Sequence, residues 1–208
     1  MSIDEPDVIG SSRLEVRWIL PGLLPAPVIE WFERFPTTHE KREDNYLVIP
    51  KLPGLAVKLR GGLALDVKAY DGSPGILDIS GSIQGRLEAW RKWSFPLSAR
   101  SEHPADSLIW RHVGKRRQLC AFLPDDDQVV PGFPAVSLDR LMCTVELSEV
   151  VVHDEHWWTF AFESAGPPDR LQEAIETTAA RFLSAGILGT IPLTLKNSGP
   201  YSDWLEAF

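Results

Sequence analysis

Three segments of the chain place a charged residue at every second position. Arg13-Leu14-Glu15-Val16-Arg17-Trp18 sets Arg13, Glu15 and Arg17 against Leu14, Val16 and Trp18. Val57-Lys58-Leu59-Arg60 and Leu65-Asp66-Val67-Lys68-Ala69 repeat the arrangement. A period of two is that of a β-strand, whose successive side chains point to opposite faces. Each segment therefore predicts a strand with one charged and one apolar face. Turned to water, such a face is ordinary solvated surface. Turned into the interior of a closed sheet, several such faces gather cations and carboxylates in one polar cavity able to hold an anion.

Other residue types with chemical potential are sparse. His39, His103, His112, His153 and His156 are scattered. His153-Asp154-Glu155-His156 spaces two histidines three apart, as a chelate would, but it lies between two apolar runs without a third ligand, and reads as a charged hairpin turn. Asp125-Asp126-Asp127 lacks the spaced oxygens and glycine of a calcium loop and reads as a solvated turn. Ser11-Ser12, Ser80-Gly81-Ser82 and Ser137 have no nucleophile-elbow context. Gly81-Ser82-Ile83-Gln84-Gly85 has neither the lysine of a phosphate loop nor the third glycine of a dinucleotide fingerprint. Cys120 and Cys143 sit among apolar neighbours and read as buried thiols. Trp90 and Trp93 flank Arg91-Lys92 and Trp110 precedes Arg111, a setting for cation–π contacts, although filling space between wall and helices is the simpler use of large aromatics.

The elements that must position these residues are mainly strands. Arg13–Leu20 is ended by Pro21 and Pro25. Pro27 opens a short helix with Val28, Ile29, Trp31, Phe32 and Phe35 on one face, closed by Pro36. Residues 37–45 read as a charged connection. Strands follow at Tyr46–Ile49, Leu55–Arg60 and Leu65–Tyr70, the last two joined by a Gly61-Gly62 hairpin turn. Further strands are expected at Arg86–Phe95, Ile109–Val113, Arg117–Phe122, Cys143–Val152 and Trp157–Glu163. Helical periodicity runs from Arg170 to Ser184, with Asp169 as an N-cap and Gly186 as the stop. The tail from Trp204 to Phe208 reads as irregular, its aromatics packing on the body.

Composition sets the frame. In 208 residues, 44% are apolar and 24% charged, so one sizeable core is available and a disordered chain is excluded. A net charge of −8 argues against non-specific nucleic-acid binding and against an anionic membrane surface. The acidic N-terminus is not a secretory signal, and a cytoplasmic protein is expected. The reading is a flexible stretch over 1–12 and one domain over 13–208. Its class is α+β, mainly antiparallel strands in a closed or nearly closed barrel with flanking helices.

At these residues the sequence resembles the CYTH family of triphosphate tunnel proteins, which includes class IV adenylate cyclases and thiamine-triphosphatase-like enzymes. The family opens on a Glu-x-Glu-x-Lys strand; here Arg13-x-Glu15-x-Arg17 stands in its place, with the first Glu replaced and the Lys become Arg. Asp44-Asn45-Tyr46, Lys58-Leu59-Arg60, Asp66-Val67-Lys68 and Lys115-Arg116-Arg117 follow the family order. Glu146 and Glu163 match its paired acidic C-terminal strands, with Ala161 where an acidic residue is usual. The likeness spans residues 13 to 185.

The resemblance implies a tunnel for a triphosphate or other polyanionic phosphate ligand. Arg17, Lys58, Arg60, Lys68, Lys115 and Arg117 would bind phosphate, arginine being suited to bidentate contact. Glu15, Glu146 and Glu163 would hold Mg²⁺ or Mn²⁺ for hydrolysis, with Glu15 and Glu163 catalytic and Asp66 and Glu88 in support. Two departures, Arg13 and Ala161, thin the acidic half of that site. Three functions therefore stay open: a metal-dependent triphosphatase, a non-catalytic anion-binding regulator, and a lipocalin-like barrel for an apolar molecule. The direction of the charged strand faces discriminates among them.

Overall fold

The alternating segments do not lie on an open sheet. A computed structural model describes residues 10–50, 54–79, 81–99, 109–133, 140–183 and 191–208. Its strands are β1 (Ser11–Pro21), β2 (Thr38–Leu47), β3 (Leu55–Arg60), β4 (Ala64–Ile79), β5 (Ile83–Pro96), β6 (Trp110–Leu123), β7 (Gln128–Pro131), β8 (Met142–Val152) and β9 (Glu155–Ala165). All pair antiparallel in the order β2-β3-β4-β5-β1-β9-β8-β6, and β2 also pairs β6, so eight strands close into a barrel. β7 is a short addition on β6. Closure removes the sheet edges that a strand-rich chain must otherwise protect. The α+β barrel expected from the sequence is the fold observed.

The helices are α1 (Ala26–Phe32), α2 (Leu171–Leu183) and α3 (Tyr201–Leu205). α1 begins at a proline pair and α2 is fed by a 3₁₀ turn over Pro168–Arg170, so Asp169 lies inside that turn and no side chain caps it. Both helices pack outside the barrel. The outward face of β1 (Leu14, Val16, Trp18 and Leu20) meets Phe160 and Phe162 of β9, Trp31 and Phe32 of α1, and Ile175 and Phe182 of α2, in one buried cluster. Phe35 stacks on Phe182 at 4.2 Å between ring centres. Because the apolar faces look outward to the helices, the charged faces look inward. Among the described residues no helix is long and apolar enough to cross a membrane.

Several elements differ from the sequence expectation. Residues 38–45 are not a connection but most of β2, while residues 48 and 49 fall outside it. Glu40, Arg42 and Asp44 face charged partners inside the barrel, which removes the usual penalty for a charged strand. The two strands expected at 109–122 are one, β6, running straight through Gly114-Lys115-Arg116. β4 and β5 extend beyond their expected ends, with register shifts between Tyr70 and Gly75. β7 was hidden by its flanking Asp125-Asp126-Asp127 turn, which is solvated as expected and ion-paired to Arg140, Arg170 and Arg181. Of the tail expected to be irregular, Trp204 and Leu205 close α3, and residues 206–208 lie outside any helix. The Gly61-Gly62 turn holds, both residues at positive φ. His153-Asp154 is a left-handed two-residue turn, and His153 and His156 are exposed. Cys120 and Cys143 are buried free thiols, pushed up to about 12 by burial. His103, Ser80, Ser137 and Gly186 lie outside the described residues.

Candidate functional site

The lumen holds a cavity of about 480 Å³. One end is stopped by α3, whose Tyr201 and Leu205 pack with Ile19, Tyr46, Val48, Val113, Val150 and Val152. Trp157 joins this plug beside Trp204 and Phe208, while its neighbour Trp158 serves the outer core, as opposite strand faces require. Every residue of the predicted phosphate set lines the cavity: Arg17 from β1, Lys58 and Arg60 from β3, Lys68 from β4, Lys115 and Arg117 from β6. Glu15, Glu146 and Glu163 line it too. The register explains the convergence. Glu15 faces Glu163 on one neighbouring strand and Glu88 on the other, and Arg17 faces Ala161.

Two more cations were missed in the sequence, and a third, Arg13, was placed on the charged face of β1 without a phosphate role. Arg13, Arg42 and Lys92 also line the cavity. Arg42 belongs to Glu40-x-Arg42-x-Asp44-x-Tyr46, a period-two run that could have been read as a strand. Lys92 alternates with Trp90 and Ser94 on the inner face of β5. Six strands therefore contribute nine cations, in a chain whose net charge is −8. Glu15, Glu40, Asp66, Glu146 and Glu163 line the same space and Asp44 lies buried behind it, leaving three positive charges in excess.

Ion pairs order these groups. Arg17 Nε donates to Glu15 at 2.7 Å and its Nη1 to Glu146 at 3.3 Å. Lys68 donates to Glu15 at 2.7 Å and to Glu163 at 3.2 Å. Arg117 bridges Glu40 at 2.6 Å and Glu146 at 2.5 Å. Asp44 takes Arg42 at 3.0 Å, Lys58 at 3.3 Å and Lys115 at 3.6 Å. Arg60, Ser94 and Lys58 converge on Asp66. Lys115 also donates to Tyr46 Oη at 2.7 Å and sits 3.8 Å from the centre of the Tyr201 ring, over which Arg17 packs as well.

Burial and these partners pull the protonation equilibria in opposite directions. Burial pushes the Asp44 and Glu163 carboxyls upward, but the cations around each hold them far below the ordinary range. For Lys58 burial wins over Asp44 and brings the ammonium down to about 8. Lys115 is lowered as well, again chiefly by burial. Glu88 does not line the cavity: it is 3% exposed, and burial, with Glu15 and Asp203 nearby, raises it to about 8. Asp66, its fellow helper in the sequence reading, is tied to Lys58 and Arg60 at the cavity wall.

The carboxylates suit a divalent cation in kind but not in arrangement. The Lys68 ammonium occupies the position between Glu15 and Glu163, and Glu146 turns to Arg17 and Arg117. Among the described residues no three His, Cys, Asp or Glu side chains form a group that could hold a metal ion.

No family model matches the chain, and no curated protein sequence does. Solved structures resemble it in shape. A conserved hypothetical protein from Pyrococcus furiosus aligns over 92% of this chain and 98% of its own, at 14% identity and a TM-score of 0.47. A mimivirus capping enzyme triphosphatase aligns over 84% and 90%, at 9% identity and 0.44. An RNA triphosphatase from S. pombe aligns over 88% and 83%, at 12% identity and 0.39.

Proposed function

We propose that this chain binds a phosphorylated polyanion of the triphosphate class inside the barrel, by direct contact between its own cations and phosphate oxygens. The observation that carries this reading is the convergence of nine cations from six strands on one cavity, with three positive charges left over. Arg17, Lys58, Arg60, Lys68, Lys115 and Arg117 are the phosphate-binding residues of the sequence reading, and Arg13, Arg42 and Lys92 join them. Fixed cations on opposite walls are what an anion needs when it leaves water. A lining of this charge suits an anion and not the apolar ligand of a lipocalin-like barrel.

Hydrolysis through Glu15, Glu146 and Glu163 is the second reading, favoured by the register that sets Glu15 beside Glu163. As arranged, the three do not fit one Mg²⁺ or Mn²⁺, because Lys68 holds Glu15 and Glu163, and Arg17 and Arg117 hold Glu146. No chemical step is therefore assigned to them, and the binding function stands on the cations.

A thermal-shift titration at low salt tests the reading. Tripolyphosphate at a hundred times its Kd stabilises by about 2.7 kcal/mol. For a chain of this size that raises Tm by roughly 5–10 °C. Phosphate release measured with Mg²⁺ and with Mn²⁺ is expected to stay at background. No shift with tripolyphosphate or any nucleoside triphosphate removes the binding function; rapid release that vanishes with chelator restores the metal-dependent one.

A further inference from the structure

Eight of the nine lumen cations already hold a carboxylate. Lys92 lines the same cavity, and among the described residues it makes no ion pair. Its neighbours in register are donors, while the Glu163 and Asp66 carboxylates act on it from beyond ion-pair distance. In register it faces Lys68 on β4 and Ser11 on β1. Arg13 follows Ser11 on the inner face of β1, and its Nε, 3.6 Å from Glu163, is buried without a hydrogen bond. Trp90, the next inward residue of β5 and the register partner of Arg13, is 4% exposed, and its indole N–H also lacks an acceptor.

Unsatisfied donors beside an unpaired ammonium lower the stability of the empty barrel, and an anion placed among them would satisfy all at once. The paired cations are different. Each must share its carboxylate with an incoming phosphate, so they shape the cavity more than they attract to it. We infer that Lys92, flanked by Arg13 and Trp90, is the docking point for a fully ionised phosphate group, taken up directly and not through a divalent cation. The inference rests on the polyphosphate reading of the lumen and assigns to it a first point of attachment.

Its signature is a pair of effects with opposite sign. Lys92→Met breaks no ion pair, and Glu163 keeps Arg13 and Lys68, so the ligand-free variant melts at or above the temperature of the unaltered protein. Its affinity for tripolyphosphate, measured by calorimetric titration, falls at least tenfold, and Lys92→Arg restores it to within about threefold. Lys68→Met behaves otherwise: it orphans Glu15 and Glu163 and lowers both melting temperature and affinity. In partial acetylation read by mass spectrometry, tripolyphosphate protects Lys92 and leaves the exposed Lys41 and Lys196 unprotected. Excess Mg²⁺ leaves affinity unchanged or weakens it, since the complexed ligand carries fewer charges. If the unaltered protein binds no polyphosphate, the lumen reading itself fails. If it binds and Lys92→Met binds equally well, or if binding requires Mg²⁺, this inference alone is overturned.

Discussion

Replacing Asp44 by Asn should make the protein less stable and the ligand bind more tightly. Asp44 is fully buried and anchors Arg42, Lys58 and Lys115. Those cations hold its carboxyl far below the usual range despite burial, so its contribution is complete at any pH above the ordinary value of 3.8 and is lost only as the pH falls through the depressed one. At pH 6 it is fully present. Removing one member of a buried ion pair costs about 3–5 kcal/mol, because the partner charges stay behind. Arg42 keeps Glu40 and Lys58 keeps Asp66 as second partners, so the lower end, about 3 kcal/mol, is expected, a fall of roughly 6–12 °C in Tm.

The same change leaves one more positive charge near the ligand. At about 8 Å and an effective dielectric of 20 to 40, a unit charge contributes about 1–2 kcal/mol, or roughly tenfold in affinity. This gain belongs to pH 6, where Lys58 keeps its proton. Above about 8 Lys58 becomes neutral in the native state. The stability deficit of the variant should therefore shrink between pH 7 and 9, and tripolyphosphate binding there should take up protons. Thermal melts across this range, with calorimetric titrations in two buffers of different ionisation enthalpy, measure all three quantities. A variant that melts within about 1 °C of the unaltered protein at pH 6, or binds more weakly there, refutes the assigned role of Asp44.

Two further predictions concern the walls. A Cβ at Gly85 would lie 2.4 Å from Val16 and 2.6 Å from the Trp18 ring, whose Nε1 donates to the Gln84 carbonyl, so Gly85→Ala should cost about 1–3 kcal/mol by overpacking, read from chemical denaturation; a neutral result means this seam is loose. Glu88 is raised to about 8, so the stability it gives is fully present below its ordinary 4.5 and is lost as the pH rises toward and through 8. Tm should accordingly fall from pH 5 to 8.5 in the unaltered protein and fall less in Glu88→Gln; parallel curves would show that Glu88 is ionised at neutrality.

The part of the fold legible in the sequence was the part governed by period. β1, β3 and the first half of β4 carry strict alternation, and there the sequence named Arg17, Lys58, Arg60 and Lys68 together with their common face. What periodicity could not say was which way that face points. Closure decides it: Leu14, Val16 and Trp18 are claimed by α1 and α2 outside, so Arg13, Glu15 and Arg17 are left within. Where the outer residues are themselves polar, the signal disappears. Thr38–Leu47 reads Thr-His-Glu-Lys-Arg-Glu-Asp-Asn-Tyr-Leu, with charge on both faces, and only its pairing with β6 reveals that Glu40, Arg42 and Asp44 share the inner one.

Pairing is also what the sequence could not supply for the site. Glu15, Glu146 and Glu163 are the residue types a divalent cation needs, and a linear reading counts them as ligands. In three dimensions each is already committed to a guanidinium or an ammonium that the same strands deliver. Lys92 is the reverse case, inconspicuous in Trp90-Arg91-Lys92-Trp93 and distinguished by making no ion pair among the described residues. A charged residue's chemical role in this barrel follows from the partner that register places against it. For anion binding, the residue left without one matters most.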